Sequence, residues 1–175
     1  TPLVSSPSAG AFTVAFRTPW HGIVGGGDLD PAFPNNAATA TSSDGGATWT
    51  LTNAPPVTGA IFGLAYAQGA GNGSRTVVIT ANAGGAAWTP DEGDTWHSLP
   101  GVTGYWAVAF ASPQAGWLVG TDGRILKISF RASGRGGAGF PARVALRRPA
   151  PLALTAGASR GAAAQPDTVK RRGAE

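Results

Sequence analysis

The chain contains no cysteine, which excludes a disulfide framework, a thiolate metal site and a cysteine nucleophile, and leaves the redox compartment open. No apolar run approaches the about 18 residues of a spanning helix, so no membrane span is expected. The first ten residues, TPLVSSPSAG, have neither the basic start nor the apolar core of a signal peptide, and a targeting segment upstream is left open. Glutamate is scarce: Glu92 is the only one before residue 131. Any acid/base pair would therefore draw on aspartates, with Asp28 or Asp30 together with Asp122 the one workable combination. His21 and His97 lie far apart with no ligand cluster around them, and no metal or cofactor is expected. Acidic and basic residues are also unevenly placed. Four basic residues face seven acidic ones in 1–130, whereas nine face two in 131–175. The net charge of +4 thus belongs to the tail, whose single aromatic is Phe140. A nucleic-acid surface interleaves stacking aromatics with its cations, so no specific nucleic-acid partner is expected.

Glycine is abundant (27 residues) and proline frequent (14), which suits a turn-rich all-β chain better than a helical one. The informative stretch is Ser42 to Trp49, SSDGGATW, which returns 47 positions later as Thr89 to Trp96, TPDEGDTW. Both fit Ser/Thr-x-Asp-x-Gly-x-Thr-Trp. In a tight hairpin Asp44 or Asp91 can accept hydrogen bonds from backbone N–H groups two or three residues on. Gly46 and Gly93 can take the positive φ of the reversal. Thr48 and Thr95 restart a strand, and Trp49 and Trp96 cover the turn. This is hairpin chemistry, not a catalytic signature.

A second repeat runs through the chain as aromatic, x, aliphatic, Ala, aromatic. It occurs at Phe12–Phe16, Phe62–Tyr66 and Trp106–Phe110, with steps of 50 and 44 residues, the length of a four-stranded propeller blade. Alternation puts Phe12, Val14 and Phe16 on one strand face and Ala15 on the other, where a neighbouring sheet could approach. Second strands are expected at 21–26, 76–81 and 116–120, and third strands at 37–41, 85–88 and 124–130. Fourth strands follow the hairpins at 49–52 and 96–99. The units are then 10–57 and 58–102, each complete, and 103–130, with three strands. Residues 1–9 read as the end of a preceding strand and a linker.

The residues of these two repeats resemble the BNR/Asp-box families of YVTN/WD40-like β-propellers, which include sialidases, other glycosidases and photosystem II assembly factor-like bacterial proteins. WAVAF at 106–110, GWLVG at 116–120 and TDGRIL at 121–126 are similar to the last group. The resemblance implies a partial β-propeller, the terminal part of a longer one, with its hairpin motifs away from the central channel and an extracytoplasmic setting. It also implies a non-catalytic scaffold that presents loops to a protein or carbohydrate partner, with further blades or self-association covering the end sheets. The competing reading is an exo-acting, sialidase-like glycoside hydrolase whose catalytic residues lie largely in missing blades. Such an enzyme needs an arginine cluster and a tyrosine paired with a glutamate, but Arg17, Arg75 and Arg124 fall at unlike repeat positions.

The candidate ligand loop is Gly25–Asn36, long where the third unit uses only Thr121, Asp122 and Gly123. Asp28, Asp30, Asn35 and Asn36 offer oxygen atoms there, but lack the spacing of an EF-hand. From Arg131 onward Ala, Gly, Arg and Pro dominate, and residues 131–175 are expected to be a disordered basic tail. Val144–Arg148 is allowed at most a helical turn, stopped by Pro149 and Pro151.

Overall fold

The computed structural model describes residues 1–30, 32, 35–68, 75–131 and 143–148. Twelve strands form three antiparallel sheets. The first contains β1 (Ala9–Phe16), β2 (Gly22–Asp28), β3 (Thr39–Ser42) and β4 (Thr50–Leu51). The second contains β5 (Gly63–Tyr66), β6 (Val77–Thr80), β7 (Ala86–Thr89) and β8 (His97–Ser98). The third contains β9 (Tyr105–Ser112), β10 (Ala115–Gly120), β11 (Ile125–Arg131) and β12 (Arg143–Arg147). Within each sheet the strands lie side by side in chain order, as hairpin-connected antiparallel strands do. Among the described residues the one helical element is a 3-10 turn at Thr121–Gly123.

The third sheet differs from the expected three strands. β12 pairs with β11 from Lys127↔Arg147 to Arg131↔Arg143 and supplies the fourth strand. Val144 lies opposite Phe130 and packs on the core below it. An extended RVALR places Val144 and Leu146 on one face, whereas a helical turn would leave Val144 without that contact. Residues 132–142 and 149–175 lie outside the described residues.

The sheets stack by using both faces of the middle one. β6 is buried along its whole length. Val77 and Ile79 join Ile23, Ile61 and Leu64 between the first and second sheets. Val78 joins Trp88, Leu118 and Ile128 between the second and third. Ile23, Ile61, Ile79, Leu118 and Ile128 are fully buried, each contributing about 1.5–3 kcal/mol relative to exposure. The connections Asn53–Phe62 and Leu99–Gly104 thread these seams, burying Val57, Leu99 and Val102.

Val14, Leu64 and Val108 fall in β1, β5 and β9, the first strands of the three sheets. Leu64 packs toward the first sheet and Val108 toward the second, while Ala15 packs toward the second. The aliphatic position of each repeat thus faces the preceding sheet and the alanine the following one. Close approach is needed at Gly63, where a Cβ would lie 2.8 Å from the Ala107 Cα and 2.9 Å from the Trp106 carbonyl oxygen. The repeat aromatics climb across these strands, Phe12 to Phe62 at 5.7 Å and Phe62 to Trp106 at 5.0 Å between ring centroids. Ahead of β1, Leu3 is buried against Val24 and Ala40, and the Val4 N–H donates to the Ala37 carbonyl at 3.1 Å.

Candidate functional site

The two motif hairpins join β3 to β4 and β7 to β8, and their carboxylates turn inward onto their own loops. Ser42 Oγ donates to Asp44 Oδ1 at 2.7 Å and accepts from the Gly46 N–H at 2.9 Å. The Thr48 N–H donates to Asp44 at 2.9 Å and its hydroxyl to Oδ2 at 2.5 Å. The second hairpin repeats this. Thr89 Oγ1 donates to Asp91 at 2.7 Å and accepts from the Gly93 N–H at 2.8 Å, and Thr95 donates to Asp91 through its N–H at 2.8 Å and its hydroxyl at 2.6 Å. The carboxylate therefore reaches four residues on, not two or three. Thr48 and Thr95 act as donors ahead of strands that begin at Thr50 and His97. Gly46 and Gly93 have φ of 91° and 100°. The hydrogen bonds from the Thr48 hydroxyl and N–H, with that from Ser42, hold Asp44 at a pKa of about 2. Burial pushes Asp91 up, but the Thr95 and Thr89 hydrogen bonds outweigh it and the net direction is down.

The hairpins differ in what they meet. Trp49 donates its indole N–H to Gly46 of its own turn at 3.0 Å, whereas Trp96 donates to the Asn53 carbonyl of the first sheet's exit, also at 3.0 Å. Asn53 returns two bonds, its N–H to Gly93 at 3.1 Å and Nδ2 to Asp94 at 2.7 Å. The second hairpin is thereby fastened to the sheet before it.

Beside this seam lies a cluster that the linear sequence leaves scattered. Glu92 sits between Asp91 and Gly93 with φ of 61°, where the first hairpin has Gly45. Its carboxylate is largely buried and accepts from Arg17 Nε at 2.6 Å, Arg75 Nε at 2.9 Å and the Tyr66 hydroxyl at 2.8 Å. Burial raises the Glu92 pKa, but the hydrogen bonds from Arg17, Tyr66 and Arg75 outweigh it and the net direction is down. Burial first, and then the bond to Glu92, push the Tyr66 phenol well above its usual range. A cleft of about 430 Å³ opens beside the cluster, its walls including His21, Thr41 and Thr50 as well as Arg17, Arg75 and Glu92. Two arginines, a tyrosine and a glutamate are the residue types a sialidase-like site requires. Here, however, Tyr66 is 4% exposed and both Nε edges face Glu92, so the set closes on itself and leaves no activated nucleophile facing the cleft. The one glutamate of the repeats, at a position where its counterpart is glycine, was the available signal for this group.

The candidate loop residues are dispersed. Asp28 Oδ1 accepts from the Asp30 N–H, and Asp30 Oδ1 from the Ala32 N–H, both at 2.9 Å. Asn35 is buried and donates Nδ2 to the Val57 carbonyl at 3.0 Å, anchoring the loop to the seam, while Asn36 is exposed. Asp122, in the 3-10 turn, is exposed and pairs with Arg124 at 3.5 Å. Among the described residues no hydrogen bond or ion pair links Asp122 to Asp28 or Asp30, and no group of three or more His, Cys, Asp and Glu side chains could hold a metal ion.

Three stacked four-stranded meanders with first strands adjacent make this chain an all-β array of the β-propeller class. It is similar to a solved structure described as YCF48 bound to D1 peptide, with a TM-score of 0.52 and 17% sequence identity over 71% of this chain. The match spans 39% of that structure's chain, well under half its length. No protein-family model matches the sequence, and no curated protein does.

Proposed function

We propose that this chain is a non-catalytic β-propeller scaffold whose rim loops contact a protein partner, with Asp28, Asp30 and Asn36 of the long loop and Asp122 as the contact residues. The observation that carries this reading is the state of the carboxylates. Asp44, Asp91 and Glu92 are saturated by donors from their own turns and seam, as structural Asp-box hairpins would be, whereas Asp30, Asn36 and Asp122 stand at the surface. Saturated carboxylates have little basicity left for proton transfer. The peptide bound by the structurally similar YCF48 supports a polypeptide as the ligand class.

The test is selection from a displayed random peptide library on the immobilised full chain, followed by fluorescence anisotropy of the enriched peptides. Binding that weakens at least tenfold in Asp30→Ala, Asn36→Ala or Asp122→Ala supports the assignment. A panel of chromogenic glycosides tests the competing hydrolase reading, and turnover lost in Asp28→Ala would overturn the scaffold.

A further inference from the structure

Strand register makes the first two sheets directly comparable. Ala15, Ile23, Thr41 and Thr50 form one cross-strand row on the first sheet, and Ala65, Val78, Trp88 and His97 form the equivalent row on the second. Both rows face the following sheet: Ile23 packs with Val77 and Ile79 of the second, and Val78 with Leu118 and Ile128 of the third. At the second–third seam the outer half of the row is filled with rings. Trp88 is 5% exposed, stacks on His97 at 4.7 Å and meets Phe130 at 5.4 Å between ring centroids. At the first–second seam two threonines stand in the places of Trp88 and His97, and there the cleft of about 430 Å³ opens beside Glu92. We propose that this cleft receives a tyrosine or tryptophan side chain of a polypeptide, which occupies the position that the Trp88–His97 stack holds in the neighbouring seam.

The walls suit such a ring. Glu92 accepts from Nε of both Arg17 and Arg75, so the two guanidiniums are held in place before a ligand arrives, and a wall ordered in advance loses little entropy on binding. A planar, weakly hydrated guanidinium is a stacking surface for an aromatic face. His21 supplies a polar edge. Thr18 Oγ1 accepts from the Trp20 and His21 backbone N–H groups at 3.2 and 3.0 Å, so its own proton points to His21 Nδ1, 3.1 Å away. The neutral imidazole then carries its proton on Nε2. Among the described residues His21 Nε2 and the Thr41 and Thr50 hydroxyls have no hydrogen-bond partner. They can satisfy a phenol or an indole N–H, which a purely apolar side chain does not offer.

The cleft lies at the hairpin end of the first sheet, where Gly22 pairs with Phe16 and Ser42, whereas Asp28 pairs with Ala9 at the other end. The length of β2, about 20 Å, separates it from the Asp28–Asn36 loop. This ring site is therefore additional to the rim contact of Asp28, Asp30 and Asn36 and independent of it.

Titration of the isotope-labelled full chain with N-acetyl-tyrosinamide and N-acetyl-tryptophanamide, followed by amide-correlation NMR, tests this. Saturable shifts are expected at His21, Thr41, Thr50 and the Arg17 Nε–H, and none with N-acetyl-leucinamide. Thr41→Trp rebuilds the ring of the neighbouring seam and should weaken both probes about tenfold or more with unchanged far-UV circular dichroism. Asp30→Ala leaves the cleft intact and should not change probe affinity, so failure of the rim contact and failure of this site are told apart. No saturable shift with either ring, equal binding of the leucine probe, or undiminished binding by folded Thr41→Trp would each overturn the proposal. Should Thr41→Trp not fold, the unaltered chain decides: nuclear Overhauser contacts must join the probe ring to the Thr41 and Thr50 methyl groups, and contacts confined to other residues overturn it.

Discussion

Substituting Glu92→Gln removes one negative charge from the seam between the first and second sheets while keeping side-chain size and backbone strain. Arg17, 16% exposed at its side chain, is then left beside a neutral amide, and Tyr66 keeps an acceptor. Breaking a buried pair from one side costs about 3–5 kcal/mol. Arg75 is half exposed, so its share is screened and adds less than about 1 kcal/mol. Because the amide retains part of the hydrogen bonding, the net loss is expected near the lower limit, about 3 kcal/mol. For a domain of this size that lowers Tm by roughly 10 °C. Urea unfolding at fixed protein concentration measures it, and a double-mutant cycle with Arg17→Met isolates the pair, with an expected coupling above about 1.5 kcal/mol. Glu92→Gly should be less damaging than Glu92→Ala by about 1 kcal/mol, since glycine adopts the left-handed φ without strain. A Glu92→Gln variant within about 0.5 kcal/mol of the unaltered chain, or a coupling below that value, would refute the seam as a stabilising ion pair.

Three further outcomes follow from the same geometry. Asp44, Asp91 and Glu92 are all more acidic folded than unfolded, so the stability they contribute is full above the unfolded carboxylate range and is lost as pH falls through the folded values. The urea midpoint should hold from about pH 7 to 5 and decline from about pH 4.5 toward 2, with a shallower decline in Glu92→Gln, and a midpoint that rises on acidification would contradict the assignment. Gly63→Ala forces a methyl group against the Ala107 Cα and the Trp106 carbonyl. It should cost about 1–3 kcal/mol by overpacking, seen as a lower thermal midpoint, and a neutral result would mean that β5 and β9 are not in contact. Thr80 Oγ1 is buried without a hydrogen-bond partner, so Thr80→Val should be neutral or stabilising by up to about 1 kcal/mol. A loss above about 1 kcal/mol would show that the hydroxyl is satisfied.

The strand inventory was legible because its signals are local. Period-2 alternation and turn glycines located β1 to β11 within one to three residues, and the aromatic repeat placed Val14, Leu64 and Val108 in matching strands. β12 was missed because composition outweighed pattern. Arg143, Val144, Ala145, Leu146 and Arg147 do alternate, but they sit among residues that cannot form a core of their own, and β12 is held by pairing with β11 and by Val144 on the core. The Glu92 cluster was illegible for a different reason: its members, Arg17, Tyr66, Arg75 and Glu92, come from four places in the chain and meet only when two sheets stack. The polarity of Asn35 is visible in sequence, whereas its partner, the Val57 carbonyl, is not.

The two hairpins show why a repeated acidic motif is a poor guide to catalysis. A carboxylate that must act as base or nucleophile keeps a lone pair free for substrate and a pKa near working pH. Asp44 and Asp91 do the opposite. Each takes two donors from the threonine four residues on and one from the Ser or Thr two residues back, and the resulting acidity is the thermodynamic mark of a group used to fold. The same count explains the asymmetry between the hairpins. With the aspartate spent locally, contact with another sheet falls to the other positions: in the second copy Gly93 and Trp96 bond Asn53, and Glu92 and Asp94 stand where the first copy has Gly45 and Ala47. The second hairpin accordingly ion-pairs and hydrogen-bonds across its seam to Arg17 and Asn53, while the first keeps its indole bond within its own turn and leaves Asp44 exposed. The ion pair across the seam therefore comes from a position the motif leaves open, while the indole and backbone bonds to Asn53 come from motif residues.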